Sequence, residues 1–362
     1  MPSSKQTITM KALVGGDSGQ YSFSDNVNVP AIRPGTMLCR VVAVALNPFD
    51  AKITQFSVAP GAIAGNDFSG DVIEIGQGVT RFAPGDRVLG MAFGLNPIDA
   101  STGAFASFAL ATEDLACRIP SSMSYEEASS MGLGIGTAGT SLFQRLQLPL
   151  PDPDRHATRL SDVPVLVSGG ATATGALAIQ LLRCAGLEPI ATCSPSSNSY
   201  VRSLGAVACF DYHSPTCGAD IRLYTKNRLV HVFDCVTDAV VMKMCYEAIG
   251  SAGGTYVALE PLSTTVQYSR RDVRASWLMA LSLFGDVVRL PGAYGRPATA
   301  VDREFAALLF PLVESLLHNG CVKNHPVHVR KGDLGSLKRG IEELRVGLVR
   351  GEKLVYTLPA ED

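Results

Sequence analysis

The 362-residue chain has one Trp, no Cys-x-x-Cys pair and no excess of either charge, with 31 Lys and Arg against 33 Asp and Glu. Each shortage excludes something. The near balance, with no basic run, gives no reason to expect nucleic acid or another polyanion as a partner. The nine cysteines are scattered and odd in number, which argues against a disulfide framework or a structural zinc and for a reducing compartment. No uncharged apolar stretch is long enough to cross a membrane, so no membrane role is expected. The opening MPSSKQTITM lacks the apolar core of a signal peptide. A soluble, cytoplasmic protein is the expectation.

What is present is apolar and patterned. Apolar residues make up 46% of the chain, enough at this length for two domains with separate cores. From residue 11 to about 120, short apolar or alternating runs are broken by Gly, Pro and Asp; residues 37–45, 70–76 and 86–90 read as strands. From 124 to about 285 the pattern becomes apolar strands (163–167, 189–192, 230–235, 255–259) alternating with helical stretches, the mark of a parallel sheet of βαβ units. Residues 149–162, rich in Pro, Asp and Arg, read as a polar surface loop. Beyond residue 302 an amphipathic helix carries Phe305, Leu308, Leu309, Leu312, Val313, Leu316 and Leu317. The last strand, from Lys353, is expected to return to the β-rich domain. The fold class is α/β, a β-rich domain plus a doubly wound parallel sheet, with boundaries expected at 1–124, 125–300 and 301–362.

The segment VLVSGGATATGALAIQL, residues 165–181, carries the chemistry. It reads as a buried strand, a Gly-rich turn and a helix whose N-terminal N–H groups point at a dinucleotide pyrophosphate. Gly170 and Gly175 occupy the outer positions of G-x-G-x-x-G, while Thr172 replaces the middle glycine. By motif alone this is as consistent with an ordinary packed turn; the clean strand before it and the second strand about 24 residues on favour the cofactor. Thr172 and Thr174 offer hydroxyl donors in the glycine's place. The second strand ends in Ser194-Pro-Ser-Ser, with Arg202 beyond, where an acid would hold a ribose diol. Hydroxyls and a cation suit a 2′-phosphate, so NADPH is the expected cofactor.

With these residues in place, the chain resembles the medium-chain dehydrogenase/reductase superfamily, a GroES-like β domain followed by a Rossmann domain. The markers are ALNPFDAK (45–52), GNDFSG (65–70), GQGVTRFAPGDRVLG (76–90) and GAFASF (103–108). More closely it is similar to the trans-acting enoyl reductases that serve fungal polyketide synthases. That resemblance rests on GIGTAG (134–139), GGATAT (169–174), IATCSP (190–195), FDY (210–212), YTKN (224–227), AYGRP (293–297) and GEKLV (351–355). Zinc-dependent members of the superfamily have a Cys after the first long strand and a Gly-His-Glu; here Pro48 and Gly65-Asn66-Asp67 stand there. Three ligands for a catalytic zinc cannot be assembled, and His325 and His328 read as surface or packing residues. No metal is expected.

The resemblance implies NADPH-dependent reduction of an α,β-unsaturated thioester held on the acyl carrier protein of a partner polyketide synthase, by a protein that is a monomer. Pro48, Phe49, Asp50 and Ala51 would line the nicotinamide end, with Lys52 and Thr137 as the polar catalytic candidates. No tyrosine stands where related stand-alone enoyl reductases place a proton donor, which leaves the source of the α-proton open, water being the simplest. Further cofactor contacts are implied for Ala171, Thr172, Ala173, Thr174, Ser194, Pro195, Ser196, Ser197, Tyr212, Leu259, Glu260, Arg350 and Gly351. Glu260 departs from the family's usual Asn. The implied walls for the acyl chain are Ala138, Gly139, Thr140, Ser141, Leu142, Phe143, Gln144 and Arg145, with Leu281, Ser282, Leu283, Phe284 and Gly285. By composition alone the run from Trp277 to Phe284 reads as plain core. A free-standing quinone or alkenal reductase and a non-catalytic dinucleotide-binding protein are the competing readings; Lys52 and Thr137 weigh against the second.

Overall fold

The structure is a computed structural model that describes residues 8–57, 59–153 and 161–359. The opening decapeptide up to residue 7 and residues 154–160, half of the polar loop of 149–162, lie outside the described residues. The chain divides into two compact units: residues 1–133, 281–314 and 326–362, and residues 134–280 and 315–325. These boundaries differ from the expected 124 and 300, because the segment from Leu281 and the end of the long C-terminal helix exchange sides.

The first unit begins with a hairpin, β1 (Thr9–Gly15) and β2 (Tyr21–Asn28). The alternating stretch of 37–45 becomes β3 (Thr36–Ala45), whose inward residues Met37, Cys39, Val41 and Ala43 are buried. After a short helix α1 (Pro48–Ile53) come β4 (Asp67–Ile75), β5 (Arg87–Met91), β6 (Phe108–Thr112) and β7 (Ala116–Arg118). Gly70 on β4 lets the backbone of Arg40 and Val41 on β3 approach; a Cβ there would meet the Arg40 carbonyl. Helix α2 (Tyr125–Ser129) is capped by Ser124, which accepts from Glu127 N at 3.1 Å.

The chain then enters the second unit through α3 (Gly132–Gly139) and a π-helical turn, Thr140–Arg145. Its sheet holds β8 (Pro164–Ser168), β9 (Glu188–Thr192), β10 (Ala208–Phe210), β11 (His231–Asp234), β12 (Gly254–Ala258) and β13 (Val273–Trp277). All pairings are parallel, in the order β10-β9-β8-β11-β12-β13. Numbered within the unit this is 3-2-1-4-5-6, the doubly wound order of dinucleotide-binding domains. Helices α4 (Ala173–Cys184), α5 (Asn198–Ser203), α6 (Cys217–Tyr224), α7 (Ala239–Ala248) and α8 (Thr264–Gln267) connect the strands.

The amphipathic pattern after residue 302 forms α9 (Ala300–His318), which buries Ala306, Leu309, Phe310, Val313, Leu316 and Leu317. Its Leu308 faces solvent, outside the apolar stripe. The chain ends with β14 (Val327–Lys331), α10 (Leu337–Arg345) and β15 (Lys353–Thr357). As expected, β15 pairs with β3, antiparallel with Val355 opposite Ala45, and so completes the sheet of the first unit. The nine cysteines are free thiols. Among the described residues no helix is long and apolar enough to cross a membrane.

Candidate active site

At the end of β8 the turn is built by two glycines. Gly169 has φ +79°, which L side chains rarely adopt, and its N–H donates to Thr192 Oγ1 at 3.0 Å. Gly175, in the first turn of α4, lies against the Gly169 carbonyl, where any Cβ would clash. Thr172 is the N-cap: its hydroxyl accepts from Gly175 N at 3.0 Å and donates to Gly169 O at 2.8 Å. The Thr172 hydroxyl thus serves the turn as its N-cap. The middle glycine of the motif is thus replaced by a cap that braces the turn, and Ala171, Ala173 and half-buried Thr174 surround the open helix end.

At the tip of β9 stand three hydroxyls. Ser194 Oγ lies 3.0 Å from Ser196 Oγ and 3.1 Å from Ser197 Oγ, in a single 3-10 turn that begins at Pro195. Exposed Arg202 on α5 donates one guanidinium N–H to Val207 O at 3.1 Å. At the end of β10 follow Asp211, whose carboxylate is held by His213 Nδ1 at 2.8 Å, and exposed Tyr212. The hydrogen bonds from His213 hold the Asp211 carboxyl below its usual range.

Sequence reading missed the residue at the centre of this sheet. Asp234 ends β11 directly beside Ser168 of β8, at the point where the strand order reverses. It is fully buried, accepts from Tyr256 Oη at 2.6 Å, and holds the next loop through Val236 N (3.0 Å) and Thr237 N (3.2 Å). Burial raises its carboxyl above the usual range, against the donors. Thr237, at φ +60°, donates to Asp234 O and accepts from Leu259 N, both at 3.2 Å. The loop after β11 is thereby tied to Leu259 and, next to it, half-buried Glu260 at the end of β12. The available signal was a lone acid closing the apolar strand HVFD.

In the first unit the ALNPFDAK motif caps a buried polar cluster. Asn47 N donates to Asp50 Oδ2 at 2.7 Å, a side chain at the third helical position reaching back to the residue before α1. Asn66 Nδ2 donates to Asp50 Oδ1 at 2.7 Å, and Asn47 Nδ2 to Asp67 Oδ2 at 2.8 Å. Lys353 Nζ, at the start of β15, donates to Asp67 Oδ2 at 2.7 Å and to Ser130 O at 2.8 Å, while Leu133 N donates to Asp67 Oδ1 at 2.5 Å. Burial pushes the Asp50 carboxyl up to about 7 despite its two donors. The expectation that Asp50 touches a cofactor is corrected: its side chain is closed to solvent and serves to position α1. Pro48 and Lys52 are exposed on α1, Phe49 is half-exposed and Ala51 is buried. Lys353 and Asp67 went unremarked in the sequence, although a lysine heading the apolar strand KLVYT is a sign of a buried partner.

Other expected residues fall as follows. Lys52, Arg350 and Gly351 belong to the first unit and Thr137 to the second. Arg350 is exposed and Gly351 has φ +71°. The two expected acyl walls also divide, 138–145 in the second unit and 281–285 in the first. Ala138 to Phe143 and Leu281 to Leu283 are buried, whereas Gln144, Arg145, Phe284 and Gly285 keep partial exposure. Thr140 Oγ1 and Ser141 Oγ are buried on the π-helical turn without a hydrogen-bond partner. His325 Nδ1 lies 2.8 Å from Tyr200 Oη, and His328 Nδ1 lies 2.8 Å from Glu352. Among the described residues no three His, Cys, Asp or Glu side chains converge as metal ligands.

Residues 33–121 match the alcohol dehydrogenase GroES-like domain family. A trans-enoyl reductase of Gibberella fujikuroi is 55% identical over 353 residues, covering 97% of this chain and 100% of that protein. A second, from a Penicillium species, is 52% identical over 352 residues, 97% of this chain and 98% of the other. Among solved structures the CurK enoyl reductase superposes with a TM-score of 0.72 at 18% identity, over 98% of this chain and 100% of that one, a likeness of fold. The β-rich unit, the doubly wound sheet and the full-length identity converge: this chain is an oxidoreductase of the medium-chain dehydrogenase/reductase superfamily and belongs to the trans-enoyl reductases.

Proposed function

We propose that the protein uses NADPH to reduce the carbon–carbon double bond of an α,β-unsaturated acyl thioester carried on the acyl carrier protein of a partner polyketide synthase. The observation that carries the cofactor is the tip of β9, where the hydroxyls of Ser194, Ser196 and Ser197 cluster and the strand itself ends without a carboxylate. A ribose diol calls for an acid at this place, and a 2′-phosphate calls for donors and a cation such as Arg202. The cradle fits the group, since Gly169 and Gly175 keep the turn free of side-chain bulk at the helix end. Membership of the trans-enoyl reductases supports the reaction class and the partner.

Bound NADPH supplies a hydride for the β-carbon. This chain's own side chains have two tasks. Lys52 and Thr137 are assigned to the thioester oxygen and cofactor, as donors where negative charge grows. Asp50, Asn66, Asp67 and Lys353 hold the segment that presents Pro48, Phe49 and Lys52. Where zinc-dependent relatives place ligands, Asn66 and Asp67 are engaged by Asp50, Asn47 and Lys353, so the reading is metal-independent.

The test is NADPH oxidation with crotonyl and longer enoyl pantetheine thioesters, set against simple quinones. Enoyl thioesters are expected to turn over faster; faster quinone turnover would establish the free-standing reductase instead. Equal rates with NADH would remove the 2′-phosphate assignment of the serine cluster. A Lys52→Ala variant with full activity would remove that residue from the chemistry.

A further inference from the structure

The AYGRP motif of residues 293–297 has no part in the chemistry above, yet the structure spends several interactions on it. Val288 N donates to Arg296 O at 2.9 Å and Arg296 N donates to Val288 O at 3.0 Å, which closes residues 288–296 into an arch. The Arg296 guanidinium folds back on the same arch, donating to the carbonyls of Ala293 and, at 2.7 Å, Gly295. A Cβ on Gly295 would come within 2.8 Å of Leu290 O, so the glycine permits the crossing. Gly292, at φ +60°, turns the chain just before Tyr294.

This construction presents one ring. Tyr294 stacks on Phe56 with ring centroids 4.3 Å apart and planes 7° from parallel, and Phe56 in turn meets Phe49 at 6.1 Å and 54°. All three rings are half-exposed. Phe49 lies on α1, within the segment read above as the nicotinamide end. A row of partly exposed aromatic rings continuous with that segment is an apolar surface of the kind that receives alkyl chains.

We propose that Tyr294, with Phe56, is a specificity-determining residue: the two rings form the surface along which the distal part of the acyl chain lies, and so set the preference for long enoyl thioesters. The proposal rests on the enoyl reductase reading. Tyr294 lies outside the reacting centre, so its removal weakens a contact that only a long chain makes. Each methylene that loses its apolar contact lowers kcat/KM several-fold, and loss of the whole surface lowers it about tenfold or more.

The experiment compares four-carbon and ten-carbon enoyl pantetheine thioesters with the intact protein and NADPH. Tyr294→Ala is expected to lower kcat/KM for the ten-carbon substrate about tenfold, chiefly through KM, and for the four-carbon substrate at most about twofold. Tyr294→Phe keeps the ring and is expected to restore the ten-carbon rate. Equal losses at both lengths would reduce Tyr294 to a brace for the arch and overturn the proposal, as would no loss at either. Phe56→Leu provides the same comparison from the other ring should Tyr294→Ala fail to fold. Four-carbon turnover by the unaltered protein reports the enoyl reductase reading separately, so failure of that reading and failure of this one remain distinct.

Discussion

Besides Asp50, each unit has a fully buried carboxylate at its candidate site, and these two are compensated in different ways. Asp67 in the first unit faces the ammonium of Lys353, with Asn47 and Leu133 N completing its shell. Asp234 in the second faces no cation in its shell: it accepts from Tyr256 Oη and two backbone N–H groups. An ion pair locks two chain segments, β4 and β15, that are almost 290 residues apart. A carboxylate held by neutral donors instead shapes one local loop, Val236–Thr237. The first arrangement builds a rigid floor under α1; the second arranges backbone at the point where a doubly wound sheet receives its ligand.

Breaking the ion pair has the largest expected effect. Lys353→Met leaves Asp67 buried and uncompensated, at a cost of about 3–5 kcal/mol, and thermal unfolding measures it. Lys353→Met combined with Asp67→Leu is expected to recover part of that loss, because the stranded charge is gone.

Next comes a pH dependence from the first unit's Asp50. Asp50 has its carboxyl raised to about 7 by burial, above its value in an unfolded chain. The native state therefore holds the proton more tightly, and the stability this contributes is complete below about pH 4 and declines as pH rises toward 7. Asp50→Asn is expected to flatten that decline, which denaturant titrations across the range would reveal; an unchanged slope would remove Asp50 as its source.

Tyr256→Phe tests the neutral cluster. It deletes one donor to a buried carboxylate, with an expected loss of about 1.5–3 kcal/mol, less than for Lys353→Met. Were the two losses equal, the distinction between ionic and neutral compensation would collapse. The smallest effect is expected for Thr172→Ala, about 1 kcal/mol for a lost N-cap, together with weaker NADPH binding measured by fluorescence.

Much of the scaffold around these clusters was legible beforehand. The strands near residues 37–45, 163–167 and 255–259 and the helix from Ala300 follow from periodicity of 2 or 3.6 and from flanking glycines, signals carried by neighbouring residues. The turn at Gly169 and Ser194 was readable for the same reason. Ala138 to Phe143, implied by the resemblance as walls for the acyl chain, are buried. Whether an apolar residue faces a cavity or another side chain depends on what packs against it, which no local pattern records.

The order of strands and helices, the glycine turn that opens α4 and the hydroxyl-rich end of β9 were determined by the sequence itself, since each rests on contacts within a few residues or on the conformational freedom of one glycine. Only the tertiary structure decided that Thr172 caps its helix, that Asp50 faces inward, and that Asn47, Asn66, Asp67 and Lys353 share one cluster. Hydrogen-bond partners are chosen by distance in space, and residues 47, 67 and 353 become neighbours only when β15 returns to pair with β3.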